Sequence, residues 1–287
     1  LSQTDTLPLV VGALHYDIVV QTTELPRLDE TAVGTRWFPK FGGKGGNQAV
    51  AAFPSRMVGA VGADDFGRFL SGHLHDVGVD SRFVTTLSDA ASGMSVAVMN
   101  AAGDYAATIV SGSNLKIDAA VLDQADVWEN VGILVLQNEI PEAINYAAAR
   151  IARRRGVPVL LNAAPARDLS PEFQELIDVL VVNAVEAEMF GTEPVEDLAS
   201  ARGAAEVLGK KFPAVVVTAG SHGLAWVSGG GTAIALPAEK VKVVSSHGAG
   251  DCFTGALARA LAEGADLAMA CRTASVAAAA HVSCVKA

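Results

Sequence analysis

A chain of 287 residues, 51% hydrophobic and 18% charged, is long enough for one large or two ordinary domains and has the composition of a soluble protein with a substantial core. A formal net charge of -10 argues against polyanionic partners such as nucleic acid or an anionic membrane, so any anion must be held by a local site. Cys252, Cys271 and Cys284 are an odd number without C-x-x-C spacing, which argues against a disulfide framework or zinc cluster and suits a reducing cytoplasm; no apolar run is long enough to span a bilayer.

Residues 7–12 (LPLVVG) read as a buried strand, with Asp17 just beyond its end. Over residues 18–41 the pattern changes: IVVQTT and VGTRWFP read as exposed strands around the turn-rich ELPRLDE. A glycine-dense turn over residues 41–47 carries Lys44 and Asn47, and a helix is expected to start at QAVAAF and stop early at Pro54. MVGAVG is the next buried strand, followed by a helix presenting Phe66, Phe69, Leu70 and Leu74 on one face. SGMSVAVMN and YAATIVS read as strands joined by a hairpin turn at Gly103 and Asp104. The two strand-rich stretches, at about 16–40 and 92–111, are expected to form a small sheet standing off the main body as a lid.

From residue 131 strands and helices alternate regularly: VGILVLQ, VPVLLN, VLVVN and AVVVT are strands with helices between them. LAWVS and TAIAL pair across three glycines, VKVVS reads as a further strand, and two helices close the chain. This pattern predicts one α/β domain, a mostly parallel sheet covered on both faces. In such sheets ligands bind beyond the carboxyl ends of the strands. One rim then gathers Asp17, Gln137, Asn138, Glu139, Asn162, Asn183 and the segments 218–223 and 245–251.

The strongest chemical signal is VKVVSSHGAGDCFTGALARAL, residues 241–261. A strand, a turn of Gly248, Ala249 and Gly250, and a helix N-terminus together make an anion site, because the first helical N–H groups are unpartnered and the dipole end is positive. Asp251 beside such a site suits a base that takes a proton from an attacking hydroxyl, and points to phosphoryl transfer; an Asp N-cap on an ordinary helix suits the same residues. The 42–47 loop is neither a P-loop nor a dinucleotide fingerprint, yet Lys44 and Asn47 offer donors to hydroxyl or phosphate oxygens. Asp17 and Glu139 suit a polyol, or else a solvated turn and a first-turn helix charge. Asn183 and Glu186, three apart at a helix start, suit a capping box or a phosphate and hydrated magnesium contact. The small and hydroxyl residues of segment 218–223, among them Thr218, Gly220, Ser221 and Gly223, suit contact with a phosphate or a ribose, or a plain turn.

FGGKGGNQAVAA and HGAGDCFTGAL resemble the two signatures of the PfkB carbohydrate kinases, the first in its ribokinase variant, and LVLQNEIP, VLLNAAPA, VVNAVEAEMFG and VVVTAGSHG are similar to ribokinase segments in the same order. The resemblance covers nearly the whole chain. It implies a three-layer ribokinase-like α/β/α fold and an ATP- and Mg2+-dependent kinase of a pentose, ribose by default, with another sugar or a nucleoside as the alternative substrate. A non-catalytic sugar-binding regulator on the same scaffold is the reading from another class. By motif, Asp251 matches the catalytic base, and Gly248, Ala249 and Gly250 the anion hole. Asp17, Gly43, Lys44, Asn47 and Glu139 match sugar contacts. Asn183 matches a nucleotide-phosphate contact, Glu186 the acid that organises magnesium-bound water, and Thr218, Gly220, Ser221 and Gly223 the nucleotide loop. The family's lid also implies a homodimer. Where ribokinases carry Asp-Thr-Thr, with the Asp helping to hold a monovalent cation, this chain has Ser245, Ser246 and His247, and it stops at Ala287 before the positions that complete that site; potassium activation is therefore expected to be weak or absent. His15 replaces an Asn common near the sugar.

Overall fold

The structure, a computed structural model, describes residues 6–100 and 105–284. In chain order the elements are β1 (Leu7–Val11), β2 (His15–Thr22), β3 (Gly34–Gly42), α1 (Lys44–Ala51), β4 (Arg56–Gly62), α2 (Asp65–Val77), β5 (Asp80–Leu87), β6 (Met94–Met99) and β7 (Tyr105–Val110). Then follow β8 (Val131–Gln137), α3 (Glu142–Arg155), β9 (Val159–Asn162), α4 (Pro171–Gln174), β10 (Val179–Asn183), α5 (Ala184–Met189), α6 (Leu198–Leu208), β11 (Ala214–Thr218), β12 (Gly223–Ser228), β13 (Ile234–Pro237), α7 (Ala249–Ala262) and α8 (Leu267–Ser283).

The main sheet runs β13-β12-β11-β10-β9-β8-β1-β4-β5 and is parallel except at the β11–β12 and β12–β13 pairs. Its central strands β1, β8, β9 and β10 are almost wholly apolar because both faces are covered. Leu9, Val11, Leu134 and Leu136 pack with residues of α3 and α6 on one face. Their alternates Val10, Ile133 and Val135 pack with Leu70 and Leu74 of α2, Phe253 and Leu257 of α7 and Ala270 and Ala274 of α8 on the other. The chain turns outward in opposite directions from β1 and β8, so the sheet's switch point, the usual place for a ligand in such sheets, lies between these two strands.

The expected smaller sheet is present, in the order β3-β2-β6-β7, with β2 and β6 parallel and the other two pairs antiparallel. Its root is fastened to α2: Tyr16 stacks on Phe66 at 4.1 Å and meets Phe69 edge-on at 4.9 Å, and Phe41 stacks on His73 at 4.2 Å. The hairpin turn expected at Gly103 and Asp104 lies outside the described residues.

Three local expectations need correction, and some elements were not foreseen. VKVVS is not a strand: Val241, Val243 and Val244 are solvent-exposed, and the backbone N–H groups of Val244 and Ser245 both donate to the carbonyl of Val282 at the end of α8. High β propensity is not enough where no neighbouring strand supplies a ladder. The helix after the glycine loop begins at Lys44, ahead of QAVAAF, so Lys44, Gly45, Gly46 and Asn47 form its first turn. Those glycines are demanded by packing: a Cβ on Gly45 would stand 2.6 Å from the backbone of Gly12 and Ala13, and one on Gly46 would stand 2.7 Å from Leu14 and Phe41. The third correction is at Asp251, which is not an N-cap; Gly248 is, at φ 79, and Asp251 is the third residue of α7. Finally, β5 and three short 3-10 turns within 112–128 carry no clear period and escape a sequence reading.

Candidate active site

The first turns of α1 and α7 meet beside the switch point. Gly255 allows their close approach, since a Cβ there would lie 2.5 Å from that of Ala51. Asp251 sits between the two helices, only 7% exposed. Its Oδ2 accepts from Asn47 Nδ2 at 3.1 Å and its Oδ1 from Gln48 Nε2 at 3.0 Å; the same Gln48 nitrogen also donates to Asn162 Oδ1 at 2.9 Å. Neutral amides thus fix the carboxylate without a cation, and a carboxylate's four or so lone-pair sites leave it able to accept another donor. Asn162 was expected on the ligand rim, without a specific role; Gln48 was not singled out from the sequence. The only signal for Gln48 was a polar side chain at the head of the apolar run that follows the glycine loop.

A cavity of about 200 Å³ opens beside Asp251, lined among others by Lys44, Asn162, Asn183, Glu186, Thr218, Gly248, Ala249 and Gly250. Asn183 and Glu186 form the capping box: Asn183 Oδ1 accepts the Glu186 N–H at 2.8 Å and Glu186 Oε2 accepts the Asn183 N–H at 2.9 Å. The same two residues line the cavity, so capping and ligand contact are compatible. Burial raises the Glu186 carboxyl above its usual range, opposed by its hydrogen bond from Asn183 and by the charge of Lys44. Thr218, at the end of β11, is the one member of the expected nucleotide loop on the cavity wall. Gly220 and Ser221 are exposed on a 3-10 turn beyond it, and Gly223 is buried at φ 120, where a Cβ would stand 2.1 Å from the Leu236 carbonyl oxygen. The glycine at 223 thus has a backbone reason of its own.

Two further acids, Glu139 and Asp17, lie outside the lining of that cavity but close enough for their charges and that of Asp251 to act on one another. Glu139 Oε2 accepts the Lys44 N–H at 2.7 Å and lies 3.9 Å from His15 Nδ1. Burial pushes Glu139 up to about 7, opposed by Lys44 and reinforced by the negative charges of Asp251 and Asp17. Burial also pushes His15 down to about 4, so at neutral pH it is uncharged and its contact with Glu139 is not an ion pair. Asp17 faces the same way as His15 along β2, takes a 2.5 Å hydrogen bond from Ser95 Oγ, and is raised by burial. Gly42 makes room for it, since a Cβ there would fall 2.0 Å from Asp17 Oδ2. Gly43, at φ 84, is the N-cap of α1 and has its missing Cβ 2.6 Å from the Ala13 carbonyl oxygen. His15, Asp17 and Glu139 are thus held near one another, with Glu139 tied to the start of α1 and close enough to feel the charge of Asp251.

Glu139 makes a testable contribution to stability. Its folded pKa lies above its unfolded value, so the folded state binds the extra proton between about 4.5 and 7, and the favourable term present at low pH is lost as pH rises through 7. Without ligand, Glu139→Gln is expected to be more stable than the parent at pH 8, by at most on the order of 3 kcal/mol, with the difference vanishing near pH 4. Urea melts at the two pH values measure this; an equal difference at both contradicts the burial account.

The sequence matches the family described as pfkB family carbohydrate kinase over residues 5–287. The chain belongs to this family. The kinase is 36% identical over 262 residues to a mouse ribokinase, covering 88% of this chain and 81% of the relative. It is 30% identical over 272 residues to a deoxyribokinase of Salmonella typhi, covering 92% and 89%. Its structure matches that of an Arabidopsis thaliana ribokinase complexed with ribose and ATP, with a TM-score of 0.89 at 30% identity over 98% of this chain and 94% of the other. The resemblance read from the two glycine-rich signatures is thereby borne out, as are the ribokinase-like fold and the assignment as a sugar kinase.

Proposed function

We propose that this carbohydrate kinase transfers the γ-phosphoryl group of ATP to the primary hydroxyl of ribose, giving ribose 5-phosphate. One observation carries the reading: Asp251 is buried in the first turn of α7, held on both carboxylate oxygens, and lines a cavity together with the glycine turn, with Glu139 close enough to feel its charge. Asp251 takes the proton from the hydroxyl as the oxygen attacks phosphorus. The N–H groups of the turn at Gly248, Ala249 and Gly250, backed by the α7 dipole, stabilise charge gathering on the transferred group. Asp17, Gly43, Lys44, Asn47 and Glu139 hold and orient the sugar, which makes attack effectively intramolecular. Asn183, Thr218, Gly220, Ser221 and Gly223 bind the nucleotide.

Magnesium fits this donor set. Among the described residues no three His, Cys, Asp or Glu side chains are grouped as a metal cage, and Glu186 offers one cavity-facing carboxylate, which suits an ion that keeps its waters and leans on substrate phosphates. When bound it neutralises charge on the phosphate oxygens. The small sheet acts as a lid that excludes water. Its exposed Trp37, Ile109 and Val110 support a homodimer through this sheet, and the composition supports a cytoplasmic setting.

The reading is tested by ADP release over a panel of ribose, 2-deoxyribose, other sugars and nucleosides, each in sodium and in potassium buffer. Ribose is expected to give the highest kcat/KM. The deoxyribokinase relative and His15, in place of the usual Asn, make 2-deoxyribose the competitor. A nucleoside as the best substrate overturns the ribose reading, and tight sugar binding with no turnover returns the regulator reading. Potassium is expected to give no appreciable gain, because Ser245 brings no charge to the turn before the anion hole; strong activation contradicts this.

A further inference from the structure

Arg167 lies outside every motif above, in the loop that follows β9. Its Nη1 donates to the carbonyl of Ile140 at 2.8 Å and, more weakly, to that of Asn138 at 3.4 Å. These are the residues immediately before and after Glu139. The guanidinium therefore brackets the Glu139 peptide unit from both sides, without touching its carboxylate. Its other edge, Nε and Nη2, is buried with no hydrogen-bond partner among the described residues. Burial lowers the basicity of the group, and the charge of Glu142 in the first turn of α3 partly restores it. A half-desolvated cation with two unpartnered donors is unfavourable where it stands. A sequence keeps such a group against its own stability where the group sets geometry at a functional site.

The rest of the turn is bolted to the same loop. The Asn138 N–H donates to the Ala164 carbonyl at 3.0 Å, and Asn138 Nδ2 donates to that of Pro165, also at 3.0 Å. Asn145 Nδ2 of α3 donates to the Gln137 carbonyl at 2.7 Å. Arg167 supplies what these bonds do not, a hold on the far side of Glu139 at Ile140. With the turn so held, the Glu139 carboxylate meets the Lys44 N–H at the start of α1, the helix that carries Asn47 and Gln48 to Asp251.

We propose that Arg167 is a positioning residue for sugar binding: by clamping the carbonyls on either side of Glu139 it fixes that carboxylate in place for the sugar. The inference rests on the reading of Glu139 as a sugar contact. It predicts a specific kinetic split. Arg167→Gln is expected to raise the sugar KM about tenfold, the scale of one charge-assisted hydrogen bond, while kcat and the ATP KM stay nearly unchanged. With the clamp gone, water reaches Glu139, and the acid limb of kcat/KM for the sugar shifts to lower pH. Arg167→Lys keeps the charge and one carbonyl contact, and is expected to recover most of the loss.

The test is a double-mutant cycle of Arg167→Gln and Glu139→Gln, with sugar KM, ATP KM and kcat measured from pH 5.5 to 8.5 (roughly one unit and more on each side of neutrality) and thermal melts alongside. In the Glu139→Gln background, Arg167→Gln is expected to add almost nothing to the sugar KM. Fully additive effects, an unshifted pH limb, or a loss shared equally between kcat and both KM values overturn the clamp. If Arg167→Gln fails to fold, Arg167→Lys carries the same cycle, and a Lys variant indistinguishable from the parent at every pH in both backgrounds overturns the need for a two-carbonyl clamp. A Glu139→Gln single variant with an unchanged sugar KM overturns the sugar role of Glu139 and the clamp together; an active Glu139 effect with a silent Arg167 overturns the clamp alone.

Discussion

Asp251→Asn is expected to lower kcat by about 10²–10⁴-fold, the range of a lost general base, while ribose and ATP still bind with nearly parental affinity. The substitution is close to isosteric. In the folded protein Asp251 accepts one hydrogen bond on each oxygen, from Asn47 and from Gln48. An asparagine keeps one acceptor and turns a donor toward the other partner, a local cost of about 1–2 kcal/mol. Losing a negative charge from the first turn of α7 costs a further few tenths to about 1 kcal/mol. Neither term unfolds a domain of this size. A large fall in kcat with intact melting and intact calorimetric sugar binding therefore isolates proton abstraction. Had Asp251 been only a favourable first-turn charge, the loss would stay below about tenfold. Asp251→Glu sharpens the comparison: it retains the base but adds a methylene, and near-attack geometry tolerates little displacement. Parental kcat in the Glu variant would be hard to reconcile with a base fixed by two amides.

The fold was legible wherever burial and period agree. The runs at β1, β4, β8, β9, β10 and β11 are apolar because both faces of a parallel sheet are covered, and that pattern needs no neighbour to be recognised. VKVV misled for the complementary reason: its composition is that of a strand, but a strand exists only with a partner, and the backbone there binds the end of α8. At the site, single-residue chemistry was legible and its partners were not. Asp251 stood out by the turn before it, and Glu139 by its place after an apolar strand. The pairing of Asp251 with Gln48, 203 residues away, and the hold of Arg167 on the carbonyls beside Glu139, are set by how two loops and two helices dock. No local pattern encodes them. Glycines were legible as special but not as to why. In residues 42–46 they answer to crowding, by backbone at Gly43 and Gly45 and by side chains at Gly42 and Gly46.

Gly250 separates those two uses of glycine within the anion-hole turn itself. Gly248 cannot, because its φ of 79 would strain any replacement and confound stability with function. Gly250 is the second residue of α7, has no left-handed backbone, and a Cβ built on it meets nothing within 4 Å. On folding grounds alanine is the better residue there, by about 0.5–1 kcal/mol of helix preference. Yet Gly250 lines the cavity beside Asp251, and a methyl group there intrudes where the first-turn N–H groups receive the transferred phosphoryl. Gly250→Ala is thus expected to melt at the parental temperature or slightly above it, and to lose about 10²–10³-fold in kcat/KM for ATP, the scale of a removed oxyanion donor. The sugar affinity measured without nucleotide is expected to stay unchanged, since Asp17 and Glu139 are not among the residues lining the cavity that Gly250 faces. Parental activity in a stabilised Gly250→Ala enzyme would sink the anion-hole role of this turn, because the added methyl would then occupy space that no phosphoryl group needs. The combination of a more stable protein and a disabled one is an outcome that a purely structural glycine does not produce.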